Sequence, residues 1–352
     1  MIRTVKYLLP YDRSLADTVK LGEEVFRFWS DLAHEHQTSG KFDLHHLGYY
    51  KARELFPSFN SMLILTVRDT VSECRKSIRS RTGDKNPHPK VHSSRGLRYN
   101  SCCFTMKGGK ISISTVDGRK KYQVIPNPSY ADWKAISCVL KVTKDKCILH
   151  VQYEKESPPV KEWTSSDVLG IDRGITNIIA TSDNKLVNSK HLRNVKGKYQ
   201  HVRSELQSKG TRSASRRYRA ISGKERRFVR DVNHCISKTL VESDYGVFAL
   251  EDLKGIRKGR KNKATRKTIG SWSFNQLQEF IEYKAEAVGK QAVYVDPKFT
   301  SQQCSHCGHT AKKNRQGSSF LCTNCGFSLN ADLNASRNIA RLGIARLCRA
   351  GS

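Results

Sequence analysis

Carboxylates are scarce in this chain. Its 352 residues hold 32 Asp and Glu against 63 Lys and Arg, a formal net charge of +31. An excess this large favours a polyanionic partner, and nucleic acid is the commonest. A basic surface of the ribosomal kind is the plain alternative, but such proteins are usually shorter and lack acidic clusters. Long apolar runs are missing as well. Hydrophobic residues make up 37%, and no run approaches the ~20 residues a membrane helix needs. The first ten residues, Met1 to Pro10, have neither an apolar core nor a small-residue cleavage site, so a signal peptide is not expected. There is no Walker loop, no dinucleotide fingerprint and no nucleophile elbow, which removes the common nucleotide-binding and serine-hydrolase readings. No internal repeat is evident. Asp43, His45 and His46 lie close together, yet no further ligand accompanies them, and a polar helix surface explains them.

Of 11 cysteines, four are paired by spacing. The other seven, Cys74, Cys102, Cys103, Cys138, Cys147, Cys235 and Cys348, are scattered. Scattered thiols without an export signal suit a reducing cytosol.

Along the chain, residues 1–8 read as a strand and 11–80 as helices, with Ile64, Val67, Val71 and Cys74 at near-helical spacing. Residues 81–98 carry Gly83, Pro87, Pro89 and Gly96 and read as a linker. From 98 to 153 the pattern is strands, with a hairpin turn at Asp117-Gly118 and a break at Pro158-Pro159. Residues 166–183 read as two strands, 196–243 as basic helix, 244–251 as a strand and 254–267 as a basic loop. A helix with Trp272, Leu277, Phe280, Ile281, Lys284 and Val288 on one face follows. A strand at 292–295 and a helix from about Ala331 complete the pattern. A strand, a helical insertion and more strands fit a split β-barrel.

Against that basic background three acids stand out. Asp172 closes Val168-Leu169-Gly170-Ile171, Glu251 closes Val247-Phe248-Ala249-Leu250, and Asp332 opens the last helix. Carboxylates brought from two strand ends and a helix are what a Mg²⁺-dependent phosphodiesterase uses, because hard oxygen ligands hold the ion. Singly, each could be a turn or cap residue, and Asp332 could simply complement the helix dipole. Asp252 competes with Glu251; strand alternation lets only one of the two face the ion.

Cys304-x-x-Cys307 and Cys322-x-x-Cys325, separated by residues 308–321, supply four thiolates for one closed, structural Zn²⁺. Gly308 and Gly326 permit the tight turns after each pair. A disulfide reading is the alternative. Three basic stretches complete the inventory. One runs from Lys185 through Arg203. The second holds Arg212, Arg216, Arg217, Arg219, Lys224, Arg226, Arg227 and Arg230, with Tyr218 and Phe228 interleaved. The third, after Glu251, includes Arg257, Lys258 and Arg260. A charge run is usually a solvated face, but like charges along one helix repel unless phosphates neutralise them.

Four segments carry a resemblance. They are Gly170-Ile171-Asp172-Arg173-Gly174-Ile175, Leu250-Glu251-Asp252-Leu253, Thr300-Ser301-Gln302-x-Cys304-Ser305-x-Cys307-Gly308, and Asn330-Ala331-Asp332-x-Asn334-Ala335-x-x-Asn338-Ile339-Ala340. In this order, over about residues 166–345, the chain resembles TnpB, a family of transposon-encoded RNA-guided DNA endonucleases related to type V CRISPR effectors. The resemblance implies an α+β multidomain fold. A β-barrel wedge domain (1–10 and 91–160) would carry a helical recognition insert (11–90). An RNase H-like, RuvC-type α/β domain (166–299 and 329–352) would carry an inserted zinc ribbon (300–328). It implies Asp172, Glu251 and Asp332 as catalytic ligands of Mg²⁺ or Mn²⁺, and Zn²⁺ on Cys304, Cys307, Cys322 and Cys325. It also implies a guide RNA from the transposon end, a double-stranded DNA target with an adjacent motif, no membrane partner, and a prokaryotic, cytoplasmic, nucleoid-associated location. A guided DNA-binding repressor that no longer cuts is the rival reading, and three filled acidic positions argue against it. Nothing in the sequence suggests strand joining.

Overall fold

The structure, a computed structural model, describes residues 1–92, 96–253 and 274–350. The chain divides into two compact units, Met1–Glu156 and Ser157–Ser352. The break falls just ahead of Pro158-Pro159. Residues from Ser157 already belong to the second unit: Ser157 Oγ donates to Glu286 Oε1 at 2.5 Å, and Trp163 packs on Gly246.

In the first unit, β1 (Ile2–Pro10) pairs antiparallel with β7 (Lys146–Glu154), Tyr7 standing opposite Leu149. Their sheet continues through β6 (Lys134–Val142) to β2 (Leu97–Tyr99). Between β1 and β2 come three helices, α1 (Arg13–Glu35), α2 (Lys41–Leu55) and α3 (Ser61–Thr82). Their ends follow capping chemistry: Asp12 accepts from the Leu15 amide, Asn60 accepts from the Met62 amide, and Gly83 takes φ +74° where α3 stops. Val25, Trp29 and Ala33 of α1 and Ile64, Val67 and Val71 of α3 are buried in one core with Leu140 and Leu149. A second, three-stranded sheet holds β3 (Phe104–Lys107), β4 (Lys110–Thr115) and β5 (Gly118–Gln123). Val116 and Asp117 make its hairpin turn, one residue earlier than Asp117-Gly118, and Gly118, at φ +92°, opens β5 opposite Thr115.

The second unit is built on a five-stranded sheet. Its strands are β8 (Val168–Asp172), β9 (Asn177–Thr181), β10 (Leu186–Asn188), β11 (Val247–Glu251) and β12 (Gln291–Val295), ordered β10-β9-β8-β11-β12. β9 runs antiparallel to β8, and β10 antiparallel to β9; β11 runs parallel to both β8 and β12. Between β10 and β11 lie α4 (Lys190–Lys209) and α5 (Arg212–Val241); α6 (Phe274–Glu286) precedes β12. Alternation along the strands sorts the two faces. Leu169, Ile171, Phe248 and Leu250 share a core with Ile236 and Leu240 of α5 and with Leu277 and Ile281 of α6. Val168, Val247 and Ala249 turn the other way, toward Ile339 of the last helix, α7 (Ala331–Ala350). α6 ends at Glu286, so Val288 lies beyond it and is exposed rather than on its apolar face. Trp272 lies outside the described residues. A small sheet of β13 (Arg315–Gln316), β14 (Ser319–Leu321) and β15 (Ser328–Asn330) sits between β12 and α7 in the chain.

Candidate active site and metal centre

The sheet's alternation decides which acids can meet. Asp172 has the parity of Val168 and Gly170, and Glu251 that of Val247 and Ala249, so both belong to the α7 side. The parallel register sets Leu250 against Ile171, leaving the two carboxylates at neighbouring strand ends. Asp252 has the opposite parity, and its backbone amide is engaged by the Val295 carbonyl at 2.8 Å. The third acid arrives with α7. That helix lies so close on β8 that a Cβ at Gly170 would come within 2.0 Å of the Ser336 carbonyl oxygen, and one at Gly343 within 2.6 Å of Ala249 Cβ. Asn330 accepts the Asp332 amide at 3.0 Å and so caps the helix, which starts the buried Asp332 in the first turn.

The three acids form an electrostatic unit. Burial is the largest influence on Asp172; the charges of Glu251 and Asp332 add to it, and its carboxyl is pushed up to about 7 although Arg315 opposes this. Burial also raises Glu251 above the usual carboxylate range, against the pull of the Thr300 hydroxyl, Arg173 and Arg315. Protein donors are already aimed at the cluster. Asn177 Nδ2 donates to Asp332 Oδ2 at 2.9 Å, an Arg315 guanidinium nitrogen to Asp332 Oδ1 at 3.1 Å, and Thr300 Oγ1 to Glu251 Oε1 at 2.5 Å. The buried Arg173 guanidinium donates to the Glu251 carbonyl at 2.5 Å and to Gln278 Oε1 at 2.8 Å, tying β8 to β11 and α6. Hard oxygen donors of this kind suit a divalent cation, which would relieve the cost of ionising Asp172 and Glu251.

The thiols fit an ion by distance. The sulfurs of Cys304, Cys307, Cys322 and Cys325 all lie within 4.8 Å of one another, the one such group of three or more ligating side chains among the described residues. Cys304 and Cys325 Sγ are 3.8 Å apart, Cys307 and Cys322 Sγ 3.6 Å. Four thiolates about 2.3 Å from a tetrahedral ion have edges of about 3.8 Å. A disulfide needs about 2.05 Å, so the paired-disulfide alternative falls and the set is compatible with zinc. Gly308 and Gly326, at φ +77° and +71°, close the two knuckles by donating their amides to the Cys304 and Cys322 carbonyls. The His309 backbone amide lowers the Cys307 thiol to about 6. At Cys325 the Phe327 amide pulls the same way, but the neighbouring sulfurs win and hold it at about 12.

Six of the nine basic candidates lie on α5. Arg212, Arg216, Arg217, Arg219, Arg226 and Arg227 are all exposed. At 100° per residue, Arg212, Arg216, Arg219, Arg226, Arg227 and Arg230 fall on one stripe, about 27 Å long; Arg217 stands to its side. Glu225 is taken by Arg203 of α4 and does not neutralise the stripe. Tyr218 and Phe228 are half-buried, Phe228 edge-on to His191, so they belong to the helix packing. Arg257, Lys258 and Arg260 lie outside the described residues.

Known proteins bear on this geometry. Residues 274–339 match the family described as Cas12f1-like, TNB domain, and residues 150–255 the family described as probable transposase, OrfB of IS605. A TnpB-like protein of Methanocaldococcus jannaschii is 40% identical over 124 residues, 34% of this chain and 44% of that protein. Over that third of its length the chain is similar to TnpB-like proteins. A putative RNA-guided DNA endonuclease, InsQ of Escherichia coli, is 29% identical over 233 residues, 57% of this chain and 55% of that protein. The chain thus spans about half the length of the curated relatives it matches. In fold, it resembles a Cas12f1 solved with single-guide RNA and target DNA. The TM-score is 0.62 at 16% identity, covering 93% of this chain and 82% of that one.

Reading the sequence for its acids and cysteines passes over Arg315, Thr300, Asn177 and Arg173. Thr300 and Arg173 lie inside the segments that carry the resemblance to TnpB, the one signal the sequence offers for them. Arg315 lies between the cysteine pairs, where nothing in the spacing marks it.

Proposed function

We propose that the chain is an RNA-guided DNA endonuclease in which Asp172, Glu251 and Asp332 hold Mg²⁺ or Mn²⁺ at the scissile phosphate. The single observation that carries this is that the charges of Glu251 and Asp332 both bear on Asp172, two of these acids standing at adjacent strand ends and one on the helix laid across them, with Arg315 alongside; their oxygens stand further apart than the thiols of the ribbon. The sheet order, three antiparallel strands followed by two parallel ones, supports an RNase H-like, RuvC-type domain. The four thiolates would hold a structural Zn²⁺ in the inserted ribbon. The first unit is read as the wedge, with α1–α3 as its recognition insert. A divalent ion supplies Lewis-acid stabilisation to the phosphate when bound. This chain's residues do the rest: the carboxylates place the ion, Arg315 lies where it can meet negative charge, and the α5 stripe offers guanidinium groups to a phosphate backbone. The partners proposed are a guide RNA from the transposon end and a duplex target with an adjacent motif, whose sequence pairing would be read by the guide.

The test is guided cleavage of a labelled duplex, with binding measured in parallel. Asp172→Ala, Glu251→Ala and Asp332→Ala should each abolish cleavage and spare binding. Wild-type protein that binds its target yet never cuts in Mg²⁺ or Mn²⁺ would instead be a guided repressor.

A further inference from the structure

The ribbon and the carboxylates are joined by a short relay. Thr300 is buried at the foot of the ribbon, four residues before the first cysteine. Its hydroxyl has one hydrogen and two acceptors in reach, Glu251 Oε1 at 2.5 Å and the Pro297 carbonyl at 3.0 Å. The shorter, charge-assisted contact is the one to Glu251. The Thr300 backbone is fixed from α7: Asn338 Nδ2 donates to the Thr300 carbonyl at 2.9 Å and to the Gln303 carbonyl at 2.7 Å. One turn earlier, Asn334 Nδ2 donates to the Gln303 carbonyl at 2.8 Å, and its Oδ1 accepts the Ser305 amide at 2.9 Å. Both asparagines are fully buried. Spaced i and i+4, they share a face of α7 and clamp residues 300–305, whose next element is the Cys304 knuckle.

α7 therefore does two tasks. Its first turn delivers Asp332, and its second and third turns hold the segment that orients Glu251. We infer that Thr300 is a positioning residue for the nuclease site, itself placed by Asn338, so that the ribbon's four-thiolate centre and the carboxylate cluster are mechanically coupled. The inference rests on the carboxylates holding a divalent ion, as proposed above. Removing an outer partner of a ligating group typically costs about 10–100-fold in metal affinity.

The experiment is Mn²⁺ titration of the purified full chain freed of nucleic acid, read by the spin-resonance signal of free Mn²⁺, with zinc content measured on every sample. Thr300→Val keeps the shape and removes the hydroxyl; Thr300→Ser keeps the hydroxyl. Thr300→Val should retain its zinc and weaken Mn²⁺ binding about 10–100-fold, while Thr300→Ser stays within a few-fold of wild type. Asn338→Leu should weaken Mn²⁺ binding as well, and the double variant should be no worse than Thr300→Val, because the asparagine acts through the threonine. Asp172→Ala separates the two ideas. If it lowers Mn²⁺ affinity while Thr300→Val does not, the relay is wrong and the carboxylate site stands. If Asp172→Ala leaves Mn²⁺ binding unchanged, the carboxylate site fails and takes the relay with it. Additive losses in the double variant would also overturn the relay. Should Asn338→Leu lose its zinc, the contrast of Thr300→Val with Thr300→Ser decides alone.

Discussion

Asp172 makes the second unit's stability depend on pH in a direction opposite to that of most aspartates. An Asp paired with a cation is held below 3.8 and stabilises the fold above that value. Asp172 is half-exposed at its surface but largely shielded from water beside Glu251 and Asp332, and its carboxyl is pushed up to about 7. Between pH 4 and 7 the folded state therefore keeps a proton that the unfolded chain has lost. That contribution is full below about pH 4, falls as pH rises through 7, and is gone above it. A rise from 3.8 to about 7 is on the order of 4 kcal/mol at 1.4 kcal/mol for each pH unit. For a unit of this size 1 kcal/mol moves the melting temperature by about 2–4 °C, so the full effect is about 10 °C. Divalent metal should reverse it, since an ion bound only to the folded carboxylates stabilises them by mass action.

The comparison is wild type against Asp172→Asn, both with zinc content verified, melted without added divalent ion or chelator at pH 5 and pH 8 and again at pH 8 with Mg²⁺. The two units can melt separately, so the transition should be followed through hydrogen exchange of β8 and α7 amides rather than a global signal. Wild type should lose stability from pH 5 to pH 8 by several degrees more than Asp172→Asn. Without added divalent ion at pH 8 the variant should be the more stable protein, and Mg²⁺ should restore much more to wild type than to the variant. Identical pH dependence in the two proteins would refute the buried, mutually repelling arrangement.

Other perturbations test other parts. Cys304→Ser or Cys322→Ser should cost one equivalent of zinc and unfold residues 300–328 locally, visible as reduced exchange protection; zinc-free protein with an intact ribbon would contradict it. Structural zinc in small fingers is worth about 10–16 kcal/mol, so the loss should be complete. Neutralising Arg212, Arg216, Arg219 and Arg226 together should weaken RNA and DNA binding and flatten the salt dependence by about 0.7–0.9 log units for each phosphate no longer neutralised. An unchanged slope would return the stripe to an ordinary solvated face. Gly170→Ala should destabilise the second unit by about 1–3 kcal/mol in urea melts, because its Cβ would strike the Ser336 carbonyl of α7. Asp252→Ala should cost far less cleavage than Glu251→Ala, and the reverse would show the strand parity to be off by one. Replacing Mg²⁺ by Ca²⁺ should preserve binding and stop cutting, since Ca²⁺ takes looser geometry and longer bonds.

How much of this was legible depended on local pattern. Short apolar runs marked β8 and β11, which are buried on both faces; alternation marked β4, and helical spacing marked α3. The Asp117-Gly118 pair announced the hairpin, one residue late, through the one residue that takes positive φ without strain. Strand pairing was another matter. Ile2 stands opposite Glu154, and no local pattern carries a partnership across that distance. The close seat of α7 on β8 depends on Gly170 and Gly343, which as sequence are merely two glycines among 23.

The same reasoning explains the asymmetry within the site. A residue is visible in sequence when it departs from its surroundings. Asp172, Glu251 and Asp332 are acids in a chain with 63 basic residues, and four cysteines at repeated spacing depart from seven scattered ones. Arg315 is one basic residue among those 63, and Thr300 is a hydroxyl before a cysteine pair. Their roles come entirely from where the ribbon carries them: β13 brings Arg315 to Asp332, and the clamp from Asn334 and Asn338 brings Thr300 to Glu251. A ligand can be found by its chemistry, whereas a group that orients a ligand is defined by geometry and becomes visible only once the chain is folded. The place of the four-cysteine segment, immediately before the helix bearing Asp332, then has a physical reading: the segment carries two side chains, Thr300 and Arg315, to the carboxylates, and an ion on its thiols would tie their supports together.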